Sequence, residues 1–288
     1  MELKSGTIKF INFPLTKIIV GVAVLIIAML TVQKFSQDVI KHFGLSNELK
    51  SLIAALLASA VALGSYYYLF KFYENRKIRE LSFNRVGYNA MLGLSVGFGI
   101  LSMVILIMYF GKAYSIIDFH PVSFLIPALA MAISSAIFEE VLFRGIIFRI
   151  TEEKLGSVFA LIISSSIFGF GHLANQNSTI FSAIAITMEA GVLLGAAYIY
   201  SRNLWLPIFI HFAWNFSEGG IYGTIISGNG LNKSLVTSKI SGPELLTGGA
   251  FGPENSLQAL LLGLVVGLLF LWMAKKQGKI IAPFWKHR

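Results

Sequence analysis

The chain has 288 residues, 56% of them hydrophobic and only 13% charged, with a mean hydropathy of +0.74. An ordinary soluble domain carries about 25% charged residues, so this balance excludes that class and fits a polytopic membrane protein. The formal charge is +9 and there is no cysteine, which removes disulfides, thiolate metal sites, a cysteine nucleophile and cysteine-based lipidation.

Apolar runs near the spanning length of about 17 to 25 residues fall at 14–33, 51–70, 88–110, 122–150, 156–174, 178–200, 203–218 and 256–274. They predict an all-α fold of about eight transmembrane helices in a single integral membrane domain over 1–288. The fifth and seventh runs are polar and the seventh is short, so six or seven spans are the alternative. Residues before Ile18 are mixed and no small-residue cleavage site follows the first run, so a cleavable signal peptide is not expected. Residues 71–87 form a charged connector with the option of a short interfacial helix. Residues 217–255 are glycine-rich, from Gly219 to Gly252, and read as a linker, with a lid as the alternative. The tail from Pro283 through Phe284 and Trp285 to Lys286 has the character of an interfacial anchor.

With the amino terminus placed in the cytoplasm, that side of the membrane carries 16 Lys and Arg and the other carries 6, and Arg144 inside the membrane completes the 23. The bias predicts that both termini are cytoplasmic. It assigns the basic charge to topology in a lipid bilayer, with no nucleic-acid partner, and the expected location is the plasma membrane of a prokaryote.

Glu139 and Glu140 stand in the middle of the run from Val122 to Ile150. A charged side chain at the centre of a transmembrane helix costs roughly 2.5 to 3.5 kcal/mol on insertion scales, so the pair needs partners. Glu140 and Arg144 are four apart and share a helix face. Glu139, rotated by about 100° per residue, points away from Arg144 and is left free for chemistry. His172 closes the fifth run, and His211 and Asn215 lie one turn apart on the seventh. Counting about 1.5 Å per residue from the cytoplasmic ends puts Glu139, Asn215 and Glu189 about 17 to 18 Å deep, His211 about 12 Å and His172 about 24 Å. These depths cluster around the midplane of a roughly 30 Å core. Glu189 is expected either to bond a neighbouring helix or to tune the site electrostatically. His42, His120 and His287 fall in loops or at ends.

A carboxylate, two imidazoles and an amide in one wet pocket suit hydrolysis. The carboxylate takes a proton from water, one imidazole orients that water or protonates the leaving amine, and the other imidazole with the amide donates to the oxyanion. Only Asp38 and Asp118 exist, both in loops, which excludes a two-aspartate mechanism, and no histidine precedes a glutamate as an HExxH zinc motif requires. Ser134 and Ser135 lack a glycine-flanked nucleophile motif and are expected to serve helix packing. Glu139, His172 and His211 also have the donor types for a three-ligand zinc site. Two further classes fit the same residues: a membrane scaffold or regulator binding a partner protein, and a transporter relaying protons through Glu139, Glu140, His172 and Glu189.

Glu139-Glu140-Val-Leu-Phe-Arg144, then Phe168 to His172, then His211-Phe-Ala-Trp-Asn215 resemble the EExxxR, FxxxH and HxxxN motifs of the CPBP family, preceded by the family-like lead-in Gly195 to Leu204. This family comprises the type II CAAX prenyl endopeptidases and bacterial bacteriocin-processing and abortive-infection proteins. The resemblance covers about 122–218, the expected catalytic core. It implies an eight-helix fold enclosing an intramembrane catalytic chamber, and an endopeptidase acting on a membrane-associated or prenylated, CAAX-type peptide or protein. Glu139 would be the general base, His172 would place the water, and His211 with Asn215 would form the oxyanion hole. Glu140 and Arg144 would support them, with Phe168 as a motif residue. No cofactor is expected, with zinc as the alternative.

Overall fold

The computed structural model describes residues 11–287; Lys4, Lys9 and Arg288 of the charge count lie outside them, as do most of the mixed residues before the first run and the side chain of His287. Among the described residues the chain forms α1 (Pro14–Ile40), α2 (Asn47–Tyr73), α3 (Val86–Phe110), β1 (Tyr114–Phe119), α4 (Ile126–Glu140), α5 (Arg149–Gly171), α6 (Ile180–Ile186), α7 (Val192–Ser201), α8 (Trp205–Asn215), β2 (Val236–Ile240), α9 (Glu244–Thr247) and α10 (Leu257–Lys276). Six helical runs are long and apolar enough to cross a membrane, against the expected eight. The difference has two causes. Val122–Ala174 counts as one run of 53 residues, although Gly156 breaks it with φ 76 and ψ 171. After that break the chain returns beside itself, since the Ser164 hydroxyl donates to the Phe143 carbonyl at 3.0 Å. The other cause is α8, whose 11 residues are too short to span alone.

The apolar surface is turned outward, as lipid requires. In the most apolar window of α1 only 11% of residues are buried, whereas 61% are buried in Ile180–Ser201, which is therefore the central run. Hydrogen-bonding side chains close the helix starts: Ser46 caps α2 and Ser256 caps α10, and Thr179 with Ser182 forms a reciprocal capping box on α6. The connector 74–85 is not a helix. Its carbonyls instead hold the α7–α8 turn, Glu80 accepting from Leu204 N at 2.8 Å and Ser82 from the Asn203 amide at 2.8 Å.

Three stretches widen into π-helix: Val141–Phe148 between α4 and α5, Thr187–Gly191 between α6 and α7, and Phe216–Ile221 after α8. Such bulges displace one side of a helix and leave backbone groups to be satisfied from elsewhere. The all-α fold also carries one ribbon, β1 antiparallel to β2, with an irregularity between Ile116 and Asp118. It forms at the end opposite the connector and draws in the segment 217–255, which is neither a plain linker nor without structure. That segment is pinned by Asn175, whose amide donates to Ser227 O at 3.0 Å, and by Gly228 N donating to Phe251 O at 2.7 Å.

Two glycine pairs at a spacing of four bring helices to backbone contact. A Cβ on Gly97 would lie 2.2 Å from the Ile210 carbonyl, and one on Gly93 2.7 Å from Phe209 Cβ, so α3 presses on α8. A Cβ on Gly263 would lie 3.0 Å from the Glu189 Cα, so α10 presses on the central π segment. Close approach of this kind is how helices associate in lipid, where no hydrophobic force separates them from the solvent. Gly97→Leu is expected to destabilise by about 1–3 kcal/mol or more through overpacking. Gly99→Leu, with no atom within 4 Å of its Cβ, is expected to be tolerated. Thermal unfolding in detergent reads the contrast, and equal midpoints for the two variants would refute the packing assignment.

Candidate active site

The site is built on the junctions between α-helix and π-helix. Glu139 and Glu140 are the last two residues of α4, and Arg144 lies in the π segment that follows. Glu140 and Arg144 are both fully buried and pair at 2.7 Å through Arg144 Nη1 and Glu140 Oε1. The same oxygen accepts from His211 Nδ1 at 3.0 Å. Arg144 also donates through Nη2 to the carbonyls of Gly191 at 3.2 Å and Ala190 at 3.4 Å, and its guanidinium stacks over Phe168 at 4.6 Å. Two charge-assisted bonds on one carboxylate oxygen make Glu140 an anchor, because such bonds are about twice as strong as neutral ones.

Glu139 has a different setting. Its Oε2 is buried, has no hydrogen-bond partner within the protein, and lies 3.9 Å from His211 Nε2. That separation is too long for a direct hydrogen bond and of a length that one bridging water can span. The Glu140 carboxylate accepts only, so Nδ1 of His211 carries the proton. Nε2 is then the nitrogen left to face Glu139. His172 is fixed in the same way: its Nδ1 donates to the Phe168 carbonyl at 2.8 Å, leaving Nε2 free. His172 contacts neither glutamate directly. Phe168 connects it to the rest, with ring centroids 4.8 Å from His172 and 6.2 Å from His211.

Asn215 donates to the Ser135 hydroxyl at 3.1 Å. Ser135, read from sequence as helix packing, therefore touches a candidate site residue. A polar partner across helices is invisible in a motif search, and only its depth beside Glu139 signals it. Ser134 does serve its own helix, donating to the Ala130 carbonyl at 3.0 Å.

A small cavity of about 30 Å³ adjoins these groups, lined by His172, His211 and Asn215 on one side and by Glu189, Ser227 and Glu254 on another, with apolar walls from Phe168, Leu194 and Trp214. Glu189 is buried against this cavity with its Oε2 unpartnered within the protein, as is Oε1 of Glu254. Glu218, in the last π segment, is a third buried acid in this part of the molecule: the Trp214 indole donates to its Oε2 at 3.1 Å, and its Oε1 has no partner within the protein. Glu218 and Glu254 lie in the glycine-rich segment that reads as a linker, and their sequence surroundings give no helical spacing to mark them. His120, by contrast, is a half-buried loop residue bonded to Thr237 at 2.7 Å.

Among the described residues no three His, Asp or Glu side chains converge in a metal-binding arrangement. Phe168 packs on both imidazoles of the alternative zinc set Glu139, His172 and His211, with ring centroids 4.8 Å and 6.2 Å away.

Residues 121–217 match the model of the family described as Rce1-like, type II CAAX prenyl endopeptidase. A Bacillus subtilis (strain 168) protein provisionally described as the membrane peptidase YdiL is 35% identical over 89 residues, covering 30% of this chain and 33% of that protein. The chain therefore aligns with about a third of the length of this curated relative. No solved structure matches the chain.

Removing one partner of a buried ion pair leaves an uncompensated charge, at a cost of about 3–5 kcal/mol. Arg144→Ala is expected to lose stability of that order. Glu139→Gln, which breaks no ion pair to a cation, is expected to stay within about 1 kcal/mol of the parent. Unfolding midpoints of the two variants in the same detergent check this, and a Glu139→Gln loss as large as that of Arg144→Ala would refute the division between the two glutamates.

Proposed function

Because residues 121–217 carry the segment of the type II CAAX prenyl endopeptidase, or CPBP, family, we propose that the protein is an intramembrane endopeptidase in which Glu139 activates water. The observation that carries this reading is the buried, unpartnered Oε2 of Glu139 at 3.9 Å from His211 Nε2. A water bridging these atoms gives a proton to Glu139 as its oxygen adds to the scissile carbonyl. The carbon–nitrogen bond then breaks, and the leaving amine receives a proton returned through Glu139 or through the free Nε2 of His172. The developing oxyanion is met by the Asn215 amide, which keeps one N–H beyond its bond to Ser135, and by His211 Nε2 when that imidazole is protonated. Glu140 and Arg144 act through His211, holding its ring and fixing its tautomer. The step routes no charge through a metal.

The proposed substrate is a membrane-associated peptide or a prenylated, CAAX-type protein end. Apolar cavity walls and outward-facing apolar helices suit a chain delivered from the bilayer.

The purified protein should be assayed against a fluorogenic prenylated CAAX peptide and a panel of leader peptides, with and without chelator. Glu139→Ala, His172→Ala and His211→Ala are each expected to lower kcat/KM by about 100-fold or more, as removal of acid–base or oxyanion groups does, while the variants still insert and elute as the parent does. Full activity in any one of the three would overturn the assignment. Activity lost on chelation and restored by zinc would overturn the metal-free mechanism.

A further inference from the structure

At the connector end of the molecule, away from the catalytic cavity, an open pocket of about 620 Å³ is lined by Arg79, Arg85, Arg202 and Lys279, with Tyr88 and Tyr200 beside them and no carboxylate in its wall. One acid reaches these four cations: Glu152, at 2.6 Å from Arg202. Arg79, Arg85 and Lys279 make no ion pair among the described residues, so the pocket holds a surplus of three positive charges in a confined space.

The backbone takes unusual conformations to place them. Arg85 begins α3 with φ 61 and Arg202 ends α7 with φ 56, a left-handed region that a long side chain adopts only when the surroundings enforce it. Both side chains line the same pocket. Arg202 is anchored by Glu152 and by the Lys279 carbonyl, and the Lys279 ammonium reaches the Tyr200 carbonyl. Burial, followed by the nearby Arg202 and Arg85 guanidiniums, pulls Lys279 below the usual lysine range, and Tyr200 opposes that pull. An anion in the pocket relieves this repulsion.

The rim gives the depth. Phe83 and Tyr88 are exposed, and Phe83 stacks on Trp205 at 5.4 Å. Exposed aromatic rings beside arginine and lysine mark the headgroup level of a membrane protein. Basic pockets between helices at that level take lipid phosphates.

From these observations we infer that the pocket formed by Arg79, Arg85, Arg202 and Lys279 is a binding site for a phosphate group, carried by an anionic lipid headgroup or by free phosphate. Arginine supplies forked donors that match phosphate oxygens, and lysine adds a point charge.

Native mass spectrometry of the delipidated full chain tests the site. Phosphatidylglycerol and phosphatidylcholine are offered in parallel, with inorganic phosphate alone as a third arm. Retention of phosphatidylglycerol over phosphatidylcholine, with little effect of inorganic phosphate, supports the lipid source. Saturable binding of inorganic phosphate that displaces phosphatidylglycerol supports the free anion. The double variant Arg85→Gln/Lys279→Gln is expected to weaken binding roughly thirtyfold, at roughly fivefold per basic group near an anionic surface. Arg79→Gln, whose exposed side chain makes no hydrogen bond among the described residues, is expected to lose roughly fivefold without a change in folding. The control Lys77→Gln/Lys275→Gln removes the same charge at the same end but outside the pocket. An equal loss in that control, or no binding in any arm, overturns the inference.

Discussion

A single carboxylate oxygen, Glu140 Oε1, holds the interior together. It receives Arg144 at 2.7 Å and His211 at 3.0 Å, and Arg144 reaches on to the carbonyls of Ala190 and Gly191. Three helical runs thus meet at one buried ion: the run of Glu140 and Arg144, the run of Ala190 and Gly191, and α8. In a low-dielectric interior these bonds are strong, and each group is expensive to leave unpaired. Glu139 keeps its freedom because its neighbour has absorbed the available cation and one imidazole. The same junction orients His211, so the anchor and the reactive end of the site are one structure.

The π segments supply the other half of this arrangement. Each interrupts a helix next to a site residue, and each offers carbonyls to side chains from outside the helix. Phe143 O accepts from Ser164, Gly145 O from Tyr66 and, within its own run, from Arg149, Gly191 O from Arg144, and Glu218 O from Thr224. A regular α-helix would use those carbonyls internally. The widened turns therefore convert backbone into a set of acceptors for the buried arginines, hydroxyls and phenol. On the outside, Gly97 and Gly263 press their helices onto α8 and the central π segment, which fixes the two walls that carry His211 and Glu189.

Much of this was legible in the sequence, and the residues say why. Glu140 and Arg144 stand out because a pair four apart shares a face and because charge is costly in an apolar run. His211 and Asn215 stand out for the same two reasons. Hydropathy also gives the membrane class and most helix positions. It is blind to other features: a π turn has the same composition as an α turn, so the sequence does not announce where helical phase shifts. Gly156 ends one helix and begins another inside a continuous apolar stretch, where a window average sees no boundary. Glu218 and Glu254 sit among glycines, and their burial depends on a segment folding back past Asn175. Ser135 looks like one more small residue until Asn215 arrives from another helix.

The phase shift has a consequence for how this chain tolerates change in length. A π turn holds one residue more than the helix around it needs. Deleting a residue between Val141 and Phe148 would leave the hydrophobicity of the run intact, yet close the widened turn and return to the helix the carbonyls that now accept from Ser164 and Tyr66. Inserting or deleting single residues here should therefore be far more damaging than substituting them. In this stretch the count of residues, more than their identity, carries the information that aligns the two glutamates with the helices they serve.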